Sequence, residues 1–258
     1  GVQFWPEMRG LEAAFLEKAA GFKQIVPIFT NVIFDTSQPH SNVVFPHMFA
    51  WLDEVLATIR LHPETLFVLR AHPDEHRAGK ESRESVRQWV AQTQAAALPN
   101  VVFYDSAEFV SSYQLIQRSK FVMIYNSTIG LEAAIMGRPV LCAGRARFTQ
   151  LSTVFFPQSP AAYQQQLEEF LTAEQVSTPP EFQVNARRFL YYQLYRSSLP
   201  FNEFLQDENL WPGFVRLRSF GLEKLTSTQS PTMKILVEEL GKLQFSQPVT
   251  SFLLLDQD

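Results

Sequence analysis

The chain has 258 residues, 46% of them hydrophobic, enough to bury a real core as one large α/β domain or as one domain with an appended segment. A formal net charge of −4 and a pI near 5.8 argue against nucleic acid as the main partner. The single cysteine, Cys142, excludes an internal disulfide, and no apolar run approaches the length of a membrane span.

Taken in order, residues Leu11 to Gly21 read as an amphipathic helix ended by glycine, and the abrupt start at Gly1 reads as if the chain were cut from something longer. Gln24 to Phe29 is a short apolar strand, and the loop from Thr30 to Gln38 leaves its carboxyl end. Phe45 to Arg60 has the period of a helix, stopped by His62-Pro63-Glu64. Leu66 to Arg70 is the next strand, followed by Ala71-His72-Pro73-Asp74-Glu75. A helix is expected over Ser82 to Ala97, a strand over Val101 to Tyr104, and a helix over Ser111 to Arg118. Phe121 to Tyr125 is a strand, Asn126-Ser127-Thr128 a polar turn, Ile129 to Met136 a helix stopped by Gly137-Arg138-Pro139, and Val140 to Ala143 another strand. Helices are expected again at Pro160 to Leu171, Glu181 to Tyr195 and Pro231 to Leu243, with an irregular stretch beyond Pro200.

Strands alternate with helices and are continuously apolar, as in a parallel sheet covered on both faces, a Rossmann-like α/β architecture. Right-handed crossovers then collect the strand exits on one edge. Four exits carry polar residues: Asn31 and Asp35, then His72, Asp74 and Glu75, then Asp105 and Ser106, then Asn126, Ser127 and Thr128. That convergence marks the expected site.

The turn at Asn126–Thr128 sits between a strand and a helix N-terminus, where backbone N–H groups attract anions. Ser127 and Thr128 can cap the helix or donate hydroxyls to a phosphate, Gly130 removes a Cβ that would block a close ligand, and Glu132 can accept ribose hydroxyls. A capped helix with a surface glutamate is the alternative. His72, held by Pro73 at a strand exit, can donate to a phosphate or pair with Asp74 or Glu75. Arg145 and Arg147, just past the last strand, suit an oxyanion. Asp35 can orient a sugar, act as a base, or cap the following helix. His72 and His76 are four apart, but Pro73 argues against the helix that zinc ligation at this spacing needs. No nucleophile elbow, Walker loop or G-x-G-x-x-G glycine run is present.

Taken together, PIFTNVIFD (Pro27 to Asp35), LRAHPDE (Leu69 to Glu75), SSYQLI (Ser111 to Ile116), YNSTIGLEAAIMGRPVLCAGRARF (Tyr125 to Phe148) and ARRFLYYQLYR (Ala186 to Arg196) are similar to the carboxyl-terminal half of GT-B-fold glycosyltransferases. Within those the chain resembles bacterial capsular polysaccharide biosynthesis proteins of the Kdo-transferase-like kind, over about two thirds of its length. The resemblance implies a metal-independent donor site with no cofactor beyond the nucleotide-sugar substrate, and a weak lean to a CMP-activated acidic sugar, with UDP-sugars open. It implies His72, Asn126, Ser127, Thr128, Gly130 and Arg145 at the donor phosphates, Glu132 on the ribose, and the loop containing Tyr104, Asp105 and Ser106 against the base. His72 and Asp35 are the catalytic candidates. The implied partners are a nucleotide-sugar donor, a polysaccharide or glycolipid acceptor, and an acceptor domain that is missing or reduced to residues 1–22. The expected division is an N-terminal helix or linker over 1–22, a nucleotide-sugar-binding domain over 23–200 and a helical or irregular extension over 201–258. The expected location is the cytoplasm, with the Arg187/Arg188 helix or the apolar tail as candidate surfaces for the inner membrane face. A nucleotide-sugar epimerase or hydrolase on the same fold would need a carboxylate pair from Asp35 and Asp74 or Glu75. A non-catalytic binding module is the third reading.

Overall fold

Short apolar segments cannot satisfy their backbone groups singly, and here five of them pair edge to edge. The computed structural model describes residues 8–33, 38–76, 84–197, 199–208 and 214–242. Strands β1 (Gln24–Phe29), β2 (Thr65–Arg70), β3 (Val101–Tyr104), β4 (Val122–Ile124) and β5 (Val140–Cys142) form one sheet in the order β3-β2-β1-β4-β5. Every neighbouring pair is parallel, with Phe29 level with Arg70 on one side and with Ile124 on the other. All residues of β2, β4 and β5 are buried, as a doubly covered sheet requires.

Two apolar layers do the covering. On one face Val26, Ile28, Phe67, Leu69, Met123 and Leu141 meet α3 (Met48–Leu61), α4 (Val86–Thr93) and α7 (Pro160–Thr172). On the other, Phe29, Leu66, Val68, Val122, Ile124 and Val140 meet α1 (Ala13–Ala20), α5 (Ser112–Arg118), α6 (Ile129–Ile135) and α8 (Pro180–Tyr191). A further helical turn, α2 (Gln38–Ser41), follows β1. Helix α3 buries Met48, Trp51, Leu52, Val55, Leu56 and Ile59, one stripe at helical spacing. Its Trp51 indole N–H donates to the Tyr163 hydroxyl at 2.8 Å, tying α3 to α7. The amide of Asn100 closes the end of α3 by donating to the carbonyls of Ile59 and His62.

The expected elements are found, with differences at their ends. The helix expected over Ser82 to Ala97 is broken: α4 stops at Thr93, Gln94 takes a left-handed conformation (φ 55°), and Ala95–Ala97 make a separate 3-10 turn. Pro99 holds Leu98 extended, so the chain must turn before β3 and cannot continue helical. After β2, Pro73–His76 form a 3-10 turn. Helix α6 ends at Gly137, whose φ of +77° suits a residue without a side chain, and Gln183 of α8 donates to the Ile135 carbonyl left open there.

The chain divides into two compact units, Trp5–Tyr192 and a second made chiefly of Gln193–Asp258. Arg9 bridges Val110, the Leu11 amide donates to Gln114, and the Phe15 ring packs on Tyr104, so α1 belongs to the sheet's unit. The division between the two units falls at 192/193. Within the second unit the stretch expected to be irregular contains an antiparallel pair, β6 (Leu205–Asp207) with β7 (Val215–Leu217). Phe204, packed by Phe201 and Phe220, is its buried centre, and α9 (Pro231–Lys242) completes it. Among the described residues no helix is long and apolar enough to cross a membrane.

Candidate functional site

In the sheet order β3-β2-β1-β4-β5, the direction of winding reverses between β1 and β4. In a parallel sheet that reversal leaves a crevice at the carboxyl edge, because successive loops turn away to opposite sides. Here the exits of β1 and β4 meet at that reversal, and they are fastened to each other. Asn31 Nδ2 donates to Asn126 Oδ1 at 2.5 Å, and Asn126 Nδ2 donates to Ser41 Oγ at 2.7 Å. All three residues are buried. Ser41 also accepts the Arg145 amide at 2.9 Å, so the chain after β1 folds back across the exits of β4 and β5. The Tyr125 hydroxyl donates to Asn42, closing the same seam. Gly144 lies so near it that a Cβ would meet the Ser41 carbonyl at 3.3 Å and the Tyr125 carbonyl at 3.2 Å.

Ser127 and Thr128 follow directly on this seam, Ser127 buried and Thr128 exposed. Thr128 occupies the N-cap position of α6 but makes no side-chain cap bond, and its helical dihedrals (φ −62°, ψ −19°) explain why: a capping hydroxyl needs an extended backbone. The expected capping role is therefore not the one it plays. The amides of Gly130, Leu131 and Glu132 already donate to the carbonyls of Ser127 and Thr128. The reason offered for Gly130 also changes. A Cβ there would meet Ile124 Cδ1 at 2.3 Å and Val140 Cγ1 at 3.4 Å, so the glycine lets α6 lie close on the sheet rather than clearing room for a ligand.

His72 leaves β2, next to β1 in the sheet. Its Nδ1 accepts the Asp74 amide at 3.1 Å, which in the neutral ring puts the proton on Nε2 and makes that nitrogen a donor. Neighbouring strands are about 4.8 Å apart, so the β2 and β4 exits stand roughly 10 Å from each other, on either side of the β1 exit. Glu75 is half-buried, its carboxylate 3.4 Å from the Val86 amide at the start of α4. Burial pushes its carboxyl up to about 7 against the pull of that amide. Arg145 and Arg147 are exposed at the β5 exit.

The loop expected against a nucleobase is built differently. The Tyr104 ring is buried against Phe15, Asp105 is buried in an ion pair with Arg87, and Ser106 is buried. Tyr104 is thus a core residue, because the last position of β3 points into the layer under α1. Asp35 lies outside the described residues. Cys142 is a small core residue whose thiol donates to the carbonyls of Tyr125 and Gly144, and burial pushes its pKa far up. Among the described residues no cluster of three His, Cys, Asp or Glu side chains is gathered that could hold a metal ion.

Two side chains at this edge had no role assigned from sequence. Arg70 is only 3% exposed, donates to the carbonyls of Ala71 and Val110, and keeps a buried Nε without an acceptor among the described residues. It fastens the end of β2 to the loop that starts α5, and an arginine closing an otherwise apolar strand was its signal. Tyr113 donates its hydroxyl to Glu132, joining the first turns of α5 and α6.

The fold and its edge define a Rossmann-like α/β domain whose polar strand exits meet at a topological switch point. Over residues 7–193 the chain matches the family described as capsule polysaccharide biosynthesis protein, and it belongs to that family. No curated protein matches it. Among solved structures it is similar to a putative UDP-N-acetylglucosamine 2-epimerase from Listeria monocytogenes (13% identity, TM-score 0.43, covering 74% of this chain and 50% of that one). It is also similar to the KpsC beta Kdo 2,7 transferase of Thermosulfurimonas dismutans (16% identity, TM-score 0.39, covering 68% and 54%). The chain spans about half the length of these structures.

Proposed function

We propose that this chain is the nucleotide-sugar-binding half of a GT-B-type glycosyltransferase in capsule synthesis. The observation that carries the reading is the buried Asn31–Asn126 link, which holds Ser127 and Thr128 at the switch point of a parallel sheet in a capsule-biosynthesis family member. In this reading the Ser127 and Thr128 hydroxyls, with the amides at the start of that turn, bind the donor phosphates. His72 Nε2–H and the Arg145 guanidinium add donors from either side, and Glu132 takes the ribose hydroxyls. Because α6 spans only seven residues, its dipole is short and the local donors carry most of the attraction. Charge developing on the departing nucleotide is stabilised by the same donors, so no metal is required. Arg145 and His72 near the departing phosphate fit an acidic sugar on CMP, the donor favoured by the resemblance. Acceptor positioning and the catalytic base fall to groups beyond those described, with Asp35 the candidate base within this sequence. The site's location in the cell follows from the reading as cytoplasmic.

Calorimetric titration with CMP, UDP, GDP and ADP tests it. One nucleotide is expected to bind, and Ser127→Ala and His72→Ala are each expected to weaken it about tenfold or more, the loss of one hydrogen bond to a charged oxygen. Binding by none of the four, or binding unchanged in both variants, would remove the donor site from this edge.

A further inference from the structure

Tyr113 is the second residue of α5 and Glu132 the fourth of α6. Both helices start at the carboxyl edge of the sheet, one after β3 and one after β4, so the pair stands at that edge. An exposed tyrosine ordinarily leaves its hydroxyl in water. Tyr113 is 52% exposed, yet its hydroxyl is held on Glu132 Oε2. That bond, with partial burial and the carboxylate's charge, pushes the phenol up to about 12, so the hydroxyl remains a donor throughout the physiological range. Glu132 is half-buried, and no cation pairs with it among the described residues. A neutral donor is thus the group that fixes this carboxylate.

We propose that Tyr113 is a specificity-determining residue of the nucleotide site: by holding one carboxylate oxygen of Glu132, it presents the other to the cis-diol of a ribonucleotide. The inference rests on the donor-site reading and adds to it the residue that sets ribose against deoxyribose. Its physical content is preorganisation. A glutamate on a helix surface samples several rotamers, and a ligand that needs one of them loses affinity in selecting it. Tyr113 makes that selection before the ligand arrives, and a carboxylate oxygen accepting one bond keeps lone pairs for the diol. The half-exposed ring beside the carboxylate also supplies an apolar wall for the nucleoside.

The test titrates the 258-residue chain and its Tyr113→Phe variant with CMP, UDP, 2′-deoxy-CMP and 2′-deoxy-UDP, after thermal melts confirm that the variant folds. The wild-type chain is expected to prefer the ribonucleotide by about tenfold. In Tyr113→Phe that preference is expected to shrink below about threefold while deoxynucleotide affinity stays nearly level, a ratio that a purely structural role leaves alone. Glu132→Gln should shrink it too. A variant with wild-type discrimination overturns the inference and leaves the donor site standing. Tighter ribonucleotide binding by the variant also overturns it, since Tyr113 would then be blocking the carboxylate. A wild-type chain that binds no nucleotide fails the donor-site reading itself.

Discussion

Asn126→Ala is expected to lower the stability of the 5–192 unit by about 2–3 kcal/mol and its melting temperature by roughly 4–12 °C. Asn126 accepts from Asn31 and donates to Ser41, and all three residues are buried. Truncation removes two hydrogen bonds and leaves the Asn31 amide without this acceptor in a place water reaches poorly, so the desolvation cost falls on the folded state alone. Its second effect is on the site. The link is what keeps the β1 and β4 exits in register, and nucleotide affinity is expected to fall even though Asn126→Ala leaves the Ser127 and Thr128 hydroxyls intact. Asn126→Asp keeps an acceptor for Asn31 but replaces the donor to Ser41 with a buried negative charge beside the phosphate position, so both stability and binding should fall. A melt within about 2 °C of wild type for the alanine variant would show that the seam contributes little.

The second large effect is a pH dependence centred on Glu75. Its folded-state pKa of about 7 lies above the ordinary value of 4.5, with burial the cause. Between those values the folded protein holds a proton that the unfolded chain has released. Stability is therefore fully present below about pH 4.5, falls as pH rises through the window, and levels off above about 7. At about 1.4 kcal/mol for each pH unit between the two values, the loss reaches at most about 3 kcal/mol. Glu75→Gln keeps an oxygen for the Val86 amide and removes the ionisation. Urea unfolding at about pH 5, 6, 7 and 8 should then show the wild type weakening relative to the variant across that range, with the variant the more stable at the alkaline end. Parallel curves would mean that Glu75 stays ionised in the folded protein.

Much of this fold was legible because its elements are locally determined. β1 and β3 span the residues expected, each an apolar run bounded by polar ones, and α6 stops at the Gly137-Arg138-Pro139 signal. The convergence of strand exits followed from parallel winding alone. Legibility ended where a role depends on a partner far off in sequence. Asn31 and Asn126 are 95 residues apart, and nothing local marks them as a pair. The same holds for Tyr113 with Glu132 and for Arg70 with Val110. The burial of Tyr104 depends on Phe15 of α1, a partner 89 positions earlier that nothing around the strand's end announces. Gly130 was misjudged because a missing side chain does not say which neighbour it accommodates. β6 and β7 escaped because three-residue strands, β7 fully exposed, carry no period-two signal.

A nucleotide's phosphates are expected beside the joined β1 and β4 exits, at Ser127 and Thr128. A crystal structure of the chain grown with CMP or UDP tests it most directly. Phosphate oxygens are expected within hydrogen-bonding distance of the Ser127 and Thr128 hydroxyls, with the ribose against Glu132. Nucleotide seated elsewhere, for instance in the cavity of about 410 Å³ lined by Phe49, Gln88 and Trp89 at the starts of α3 and α4, would contradict it.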